Sequence, residues 1–289
     1  MPPVAVVTDT TGYIPVDVAE ANAIHQVSLY VNFGGERTEK ETDLKDLDAF
    51  YEELRTADAL PTTSQPSVGD FIEAYEPLLA DGRDIVSVHL SAGISGTVDA
   101  AQQAKEALER DGRGGERVHV FDSATAAGGQ GMVTMAAARR ALGGGTAEEV
   151  LTAARDARAD LKMWFAVDTL EYFKRSGRIG AASAWIGSTL KIKPILTLEA
   201  EITPVERVRT NSRMFERMVD YARQRESSGA CAWVVQHIQA EEQATALADE
   251  CRKIFGREPL YFSEVGPVLG CHAGPGMLGV GSIPERYLV

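Results

Sequence analysis

Residues 84–90, Asp84-Ile85-Val86-Ser87-Val88-His89-Leu90, form a short apolar run rich in β-branched side chains, and Ser91-Ala92-Gly93-Ile94-Ser95-Gly96-Thr97 follows directly. Such a run reads as a strand buried on both faces, as in a parallel sheet. Past the small residues, Val98, Ala101, Gln102, Ala104, Lys105 and Leu108 recur at helical spacing. Strand, tight loop and helix together are the building unit of α/β proteins, which bind ligands beyond the carboxyl ends of their strands. Glycines let the backbone approach a bound group. Ser95 is placed to cap the helix, where free N–H groups favour a carboxylate or phosphate. The same residues serve equally well as turn chemistry. No Gly-Lys-Ser/Thr follows and Gly-x-Gly-x-x-Gly is absent, so this is neither a P-loop nor a dinucleotide fingerprint.

The unit recurs through the first half. Strands are expected over 4–7, 25–33 and 118–121, and helices over 15–23, 47–56, 67–79, 128–142 and 147–159. Residues 61–67 read as a rigid, hydroxyl-rich loop, with Ser67 capping the next helix. The helix over 128–142 is apolar on most faces and is expected to be buried. Past Asp160 the pattern changes: a strand over 163–167, helical pieces over 168–176 and 182–190, and a hairpin over 193–198 and 202–209. Then come a helix capped by Asn211 and running to about 225, a strand over 231–237, a helix over 241–255, a strand over 260–264, a Gly-rich loop over 266–276 and a final short strand. The expected fold is α/β, with two α/β domains of mostly parallel sheet, residues 1–160 and 161–289.

With 42 acidic against 29 basic residues and a net charge of −13, non-specific nucleic-acid binding is disfavoured. No apolar run approaches a membrane span. The N-terminal Met-Pro-Pro-Val-Ala-Val-Val leads straight into a strand and shows no charged region or cleavage site. Three cysteines form no paired framework, so a cytoplasmic protein is expected. Five His and three Cys show no ligand spacing, and no metal is expected. A monomer is expected, since no long apolar stripe is left exposed.

Three segments share one character: Thr62-Thr63-Ser64, the loop from Ser91 to Thr97, and the loop carrying His272. Hydroxyls, glycines and an imidazole can hold a carboxylate without a fixed positive charge. A capped turn and a structural histidine are the competing readings. A basic cluster, Lys174, Arg175, Arg178, Arg207, Arg209, Arg213 and Arg217, suits a phosphate or acidic partner, or else a solvated helix end. Ser95, Asp122 and His272 follow the chain order of α/β-hydrolases, but the elbow Gly-x-Ser-x-Gly is broken because the second glycine comes one place early. A serine hydrolase and a module for another anionic small molecule, such as a sugar phosphate, therefore stand as alternatives.

An ordered set of motifs runs nearly end to end: Thr8-Asp9-Thr10-Thr11, 61–67, 90–97, Phe121-Asp122-Ser123, 170–180, Lys193-Pro194-Ile195-Leu196, and Gly266-Pro267 through His272-Ala273-Gly274-Pro275-Gly276. In this set the chain resembles the DegV family, which includes the fatty-acid-binding subunit of bacterial fatty-acid kinase. The resemblance implies one long-chain fatty acid buried between two α/β domains and no other cofactor. It places the carboxylate on Thr63 and Ser95 with His272 in the same network, and Thr62, Ser64, Gly96 and Thr97 in or behind that shell. It implies a carrier that is not itself an enzyme and presents the carboxylate to a separate kinase, which makes the acyl phosphate. Arg175, Arg178 and Arg209 match the family's docking face for that kinase. Ala92 departs from the pattern, where the family often has a second serine. For the tail slot, Phe165, Trp185, Ile186, Leu190, Met132 and Met135 are candidates. A long tail supplies ample binding energy, about 0.8 kcal/mol per buried methylene.

Overall fold

The computed structural model describes residues 3–35, 37–57, 59–186 and 192–288. In chain order the elements begin with β1 (Val4–Asp9), α1 (Val16–Ala21), β2 (Ile24–Val27), β3 (Tyr30–Asn32), β4 (Thr38–Lys40), α2 (Leu47–Thr56), β5 (Thr62–Ser64), α3 (Val68–Ala80), β6 (Asp84–His89) and α4 (Thr97–Arg110). They continue with β7 (Val118–Asp122), α5 (Ala127–Leu142), α6 (Ala147–Asp160), β8 (Lys162–Ala166), α7 (Glu171–Arg175), β9 (Lys193–Glu199), β10 (Glu201–Val208), α8 (Asn211–Ser227), β11 (Ala232–Ile238), α9 (Glu241–Phe255), β12 (Tyr261–Glu264), α10 (Pro267–Ala273) and β13 (Met277–Ile283).

One sheet has the order β2-β1-β6-β7 and every pairing in it is parallel. Its strands are the short β-branched runs of the sequence, with α3 and α4 on one face and α5 on the other. A second sheet runs β10-β9-β8-β13-β11-β12. It was expected to be mostly parallel, but only β11–β12 is; the other pairings are antiparallel. The reason is non-local. β9 and β10 join as a tight hairpin, and β13, the last strand in sequence, inserts between β8 and β11 against both their directions.

α5 lies between the two sheets, touching β1 and β6 on one side and β11 and β13 on the other. It is buried on all sides over most of its length, as its Ala- and Met-rich composition requires. Its glycines permit the contact: a Cβ on Gly128 would stand 2.6 Å from Val234 Cγ2. Met132 and Met135 are in this core, beside Val4, Val86, Val234 and Ile283.

The stretch over 25–33, expected as one strand, is two. Ser28 and Leu29 interrupt it, with Leu29 N–H donating to Thr10 Oγ1 at 3.4 Å, so β2 stays in the parallel sheet and β3 leaves it. β3 forms a small antiparallel sheet, β4-β3-β5, whose β5 is the Thr-Thr-Ser segment expected as loop. The Gly-rich segment holds a seven-residue helix, α10, which opens on a proline at its first position and ends before Gly274 at φ 73°. Asn211 opens α8 but does not cap it; Thr210 does, accepting from Arg213 N–H. Residues 180–185 form a 3₁₀ helix; of the helical piece expected over 182–190, residues 187–190 lie outside the described residues.

Candidate functional site

Loops from three elements converge on one cavity. β5 brings Thr63 and Ser64, the turn after β6 brings Ile94, Ser95 and Gly96, and α10 brings His272. The empty space amounts to about 870 Å³, counted out to its open mouth. Leu29, Leu90, Phe165, Phe173, Leu198 and Met277 make the rest of the wall predominantly apolar. Greasy walls with a few convergent polar groups are the usual form of a small-molecule site.

Close backbone approach brings these loops together. A Cβ on Gly96 would come within 3.0 Å of Gln65 Nε2, so glycine lets the β5 segment lie against the start of α4. A Cβ on Gly93 would stand 2.5 Å from the carbonyl oxygen of Ala200. That residue is the tip of the β9–β10 hairpin, and its carbonyl accepts from Ser91 Oγ at 2.7 Å while its N–H donates to Ala124 O at 2.9 Å. The hairpin is thereby pinned across the loop that carries Ser95.

Ser95 does not cap α4. Gly96 is the capping residue and contributes no side chain, while Ser95 Oγ accepts from Thr97 N–H at 3.3 Å and lies 2.9 Å from Thr97 Oγ1. Thr97 is fully buried behind Ser95, and Thr62 is exposed; neither lines the cavity. His272 Nε2 lies 2.8 Å from Thr63 Oγ1. Its Nδ1 is buried and has no partner among the described residues. Burial, with the Arg178 charge adding to it, lowers the imidazole pKa to about 4, so the ring is neutral near pH 7. With its proton on Nε2 the ring donates to Thr63 Oγ1, which leaves the threonine proton for a ligand acceptor.

α10 is held by a group that sequence reasoning missed. Glu41 is buried, and its carboxylate accepts from Thr10 Oγ1 at 2.5 Å, Tyr13 OH at 2.8 Å and Val268 N–H at 2.8 Å. Tyr13 OH in turn accepts from Leu269 N–H at 3.0 Å. Two otherwise unpaired N–H groups at the start of α10 are satisfied this way. Burial raises the Glu41 pKa despite these hydrogen bonds. Its setting, Glu-Lys-Glu-Thr-Asp, reads only as a polar turn, so no local signal marks it.

Of the tail candidates, Phe165 lines the cavity. Trp185 packs outside it with Arg207 stacked 5.2 Å above its ring, Ile186 is 40% exposed, and Met132 and Met135 belong to the core between the sheets. Leu190 lies outside the described residues. The basic residues are dispersed. Arg178, grouped above with a docking face, lies at the cavity mouth, its Nη1 donating to Ser176 O at 2.7 Å. Arg175 and Arg209 are exposed, whereas Arg213 and Arg217 pair with Glu216 and Glu206.

The Ser95-Asp122-His272 triad is not assembled. The Asp122 carboxylate accepts from Ala92 and Ala124 N–H groups at 3.3 and 2.7 Å, and His272 Nδ1, which a triad aspartate would orient, has no such partner. Triad geometry does occur elsewhere: Ser87 Oγ lies 2.7 Å from His89 Nε2, and His89 Nδ1 lies 3.0 Å from Asp9 Oδ2. All three are wholly buried and Tyr75 OH occupies Ser87 at 2.7 Å, so no substrate reaches them. Among the described residues no group of His, Cys, Asp or Glu is placed to hold a metal, and no helix is long and apolar enough to cross a membrane.

The fold and the site define an α/β protein with a predominantly apolar cavity whose wall also carries hydroxyls and a neutral imidazole. The chain belongs to the DegV family: the model for "Uncharacterised protein, DegV family" matches residues 3–285. It is 41% identical over 282 residues to DegV domain-containing protein SCO2569 of Streptomyces coelicolor, covering 96% of this chain and 97% of the relative. Among solved structures it resembles DegV, a fatty acid binding protein from Bacillus subtilis, at TM-score 0.86 and 34% identity over 98% of this chain and 100% of that one. A DegV family protein from Thermus thermophilus, a structure described by its fatty acid binding, matches at TM-score 0.85 and 31% identity over 98% and 99% of the two chains.

Proposed function

We propose that this protein binds one long-chain fatty acid in the cavity and presents its carboxylate to a separate kinase, which converts it to an acyl phosphate. The observation that carries the reading is a predominantly apolar cavity wall that includes the Thr63–His272 pair, 2.8 Å apart, and Ser95. An unpaired buried carboxylate is costly, and hydroxyl donors offset that cost without trapping the head in a tight ion pair. The Thr63 and Ser95 hydroxyls donate to the carboxylate, and Arg178 adds positive charge at the mouth. Ser64 and Gly96 shape this part of the wall, Thr97 holds Ser95, and Thr62 stays outside. The kinase docks on exposed basic residues, Arg178 at that mouth together with Arg175 and Arg209. The chain supplies no catalytic base, acts as a cytoplasmic monomer, and divides near residue 160 into the two units that clasp the lipid.

Mass spectrometry of an organic extract of the denatured, purified protein tests the reading. A near-stoichiometric fatty acid is expected. An empty extract, followed by a thermal-shift panel in which anionic metabolites stabilise the protein and fatty acids do not, refutes it. The kinase step is tested separately, by acyl-phosphate formation with a fatty-acid kinase. Thr63→Ala and Ser95→Ala are each expected to reduce it at limiting fatty acid, in step with weakened binding.

A further inference from the structure

Beneath part of the cavity wall lies a stretch of sheet whose own residues are glycines, covered by the side chains of their neighbours. β13 leaves the neighbourhood of His272 and carries Met277, Gly279 and Gly281 on one face, by strand alternation. Across the antiparallel pairing with β8, Phe165 is opposite Gly279 and Met163 is opposite Gly281. Phe165, Met163 and Met277 all line the cavity. From Met277 to Gly281 the strand itself rises about 13 Å.

Met163 packs over these glycines. A Cβ on Gly281 would stand 3.3 Å from Met163 Cβ, and a Cβ on Gly279 would stand 3.6 Å from Met163 Cε. The thioether chain therefore lies back over Gly279, towards Phe165. On the same face Met132 also reaches Gly281, its Cε standing 2.9 Å from such a Cβ, so Met163 and Met132 meet over this glycine. Met132 is wholly buried in the core between the sheets and does not line the cavity. Met163 thus stands between cavity and core. Methionine is unbranched and has three rotatable bonds, which makes it the side chain best able to yield to a longer guest.

We infer that Met163 is the end-stop that sets acyl-chain length, its side chain separating the cavity from the Met132 core. The inference rests on the fatty-acid reading of the cavity. It is tested by competing a series of saturated fatty acids of increasing length for the wild-type protein, Met163→Ala and Met163→Phe, and by the lengths that copurify with each. Met163→Ala is expected to move the preferred length up by about two carbons, the space the truncation opens. Met163→Phe is expected to move it down. Should Met163→Ala fail to fold, Met163→Leu conserves volume but does not reach Gly279, and a smaller upward shift is expected. A variant that binds fatty acids with the wild-type length profile overturns the assignment of Met163 and leaves the cavity reading intact. A wild-type protein that binds none of them overturns the cavity reading, and this inference with it.

Discussion

Two histidines in this molecule stand in similar company and do different work. His89 lies between Ser87 and Asp9 with both ring nitrogens engaged, and Asp9 also accepts from Thr11 N–H, Thr11 Oγ1 and Leu90 N–H. Burial pushes the Asp9 pKa up, but the His89, Thr11 and Gln130 interactions outweigh it and the net shift is down. The cluster is closed and nothing in it is left to bind. His272 has one nitrogen on Thr63 and the other unpartnered among the described residues, beside open space. A saturated polar cluster fastens the fold, whereas an unsaturated one at a cavity invites a ligand.

The largest expected effect breaks the closed cluster. His89→Ala leaves the buried Asp9 carboxylate without its main partner and should cost about 3–5 kcal/mol of stability. Denaturant unfolding reads this, and a loss under about 1 kcal/mol would mean the cluster is not the fastening it resembles. At the open cluster the balance reverses. Thr63→Ala should weaken fatty-acid binding by about 10- to 100-fold, the worth of a hydrogen bond to a charged group, with a much smaller change in stability. Titration calorimetry beside a denaturant curve separates the two effects.

A pH series sharpens the contrast further. The folded-state pKa of His272 is about 4 against an ordinary value of 6.5. Between those values the unfolded chain binds the proton and the folded one does not. The stability contributed by the neutral ring is therefore full above pH 6.5 and is lost as pH falls towards 4. His272→Gln should remove that part of the slope, so that its stability relative to wild type improves as pH drops through this window. The smallest effect is expected at Thr62, exposed on β5 next to Thr63. Thr62→Ala should leave both stability and affinity within about 0.5 kcal/mol, and a large loss of binding would place the carboxylate elsewhere in the cavity.

Much of the fold was legible in the chain. The parallel strands announced themselves as short β-branched runs, α9 as a periodic segment with the expected ends at Glu241 and Phe255, and α5 as a helix with no polar face. The cap at Ser67 was legible too, because Ser-x-x-Asp is a local arrangement, and both halves of its capping box form. At the site, three segments stood out by residue type and the family resemblance marked residues within them; of these Thr63, Ser64, Ser95, Gly96 and His272 line one cavity, while Thr62 and Thr97 do not. α10 carried its own signals, proline at the first position and glycine after the last, and could have been read as a helix.

Local chemistry set these features: hydrophobic period, capping side chains, turn glycines and hydroxyl-rich loops are properties of neighbouring residues, which any short stretch of sequence displays. What only the tertiary structure decided depends on residues far apart in the chain. β5 is a strand because β3, some thirty residues earlier, left the parallel sheet to pair with it. The second sheet is mixed because β13 found its place between β8 and β11. Glu41 matters because Val268 came to lie 2.8 Å from it across the fold. The cavity wall passed over Trp185 and Ile186 and took in Leu198, Met163 and Met277. Burial and long-range pairing are collective outcomes of packing the whole chain against itself, and no single segment encodes which of its apolar residues will face a cavity and which will fill the core.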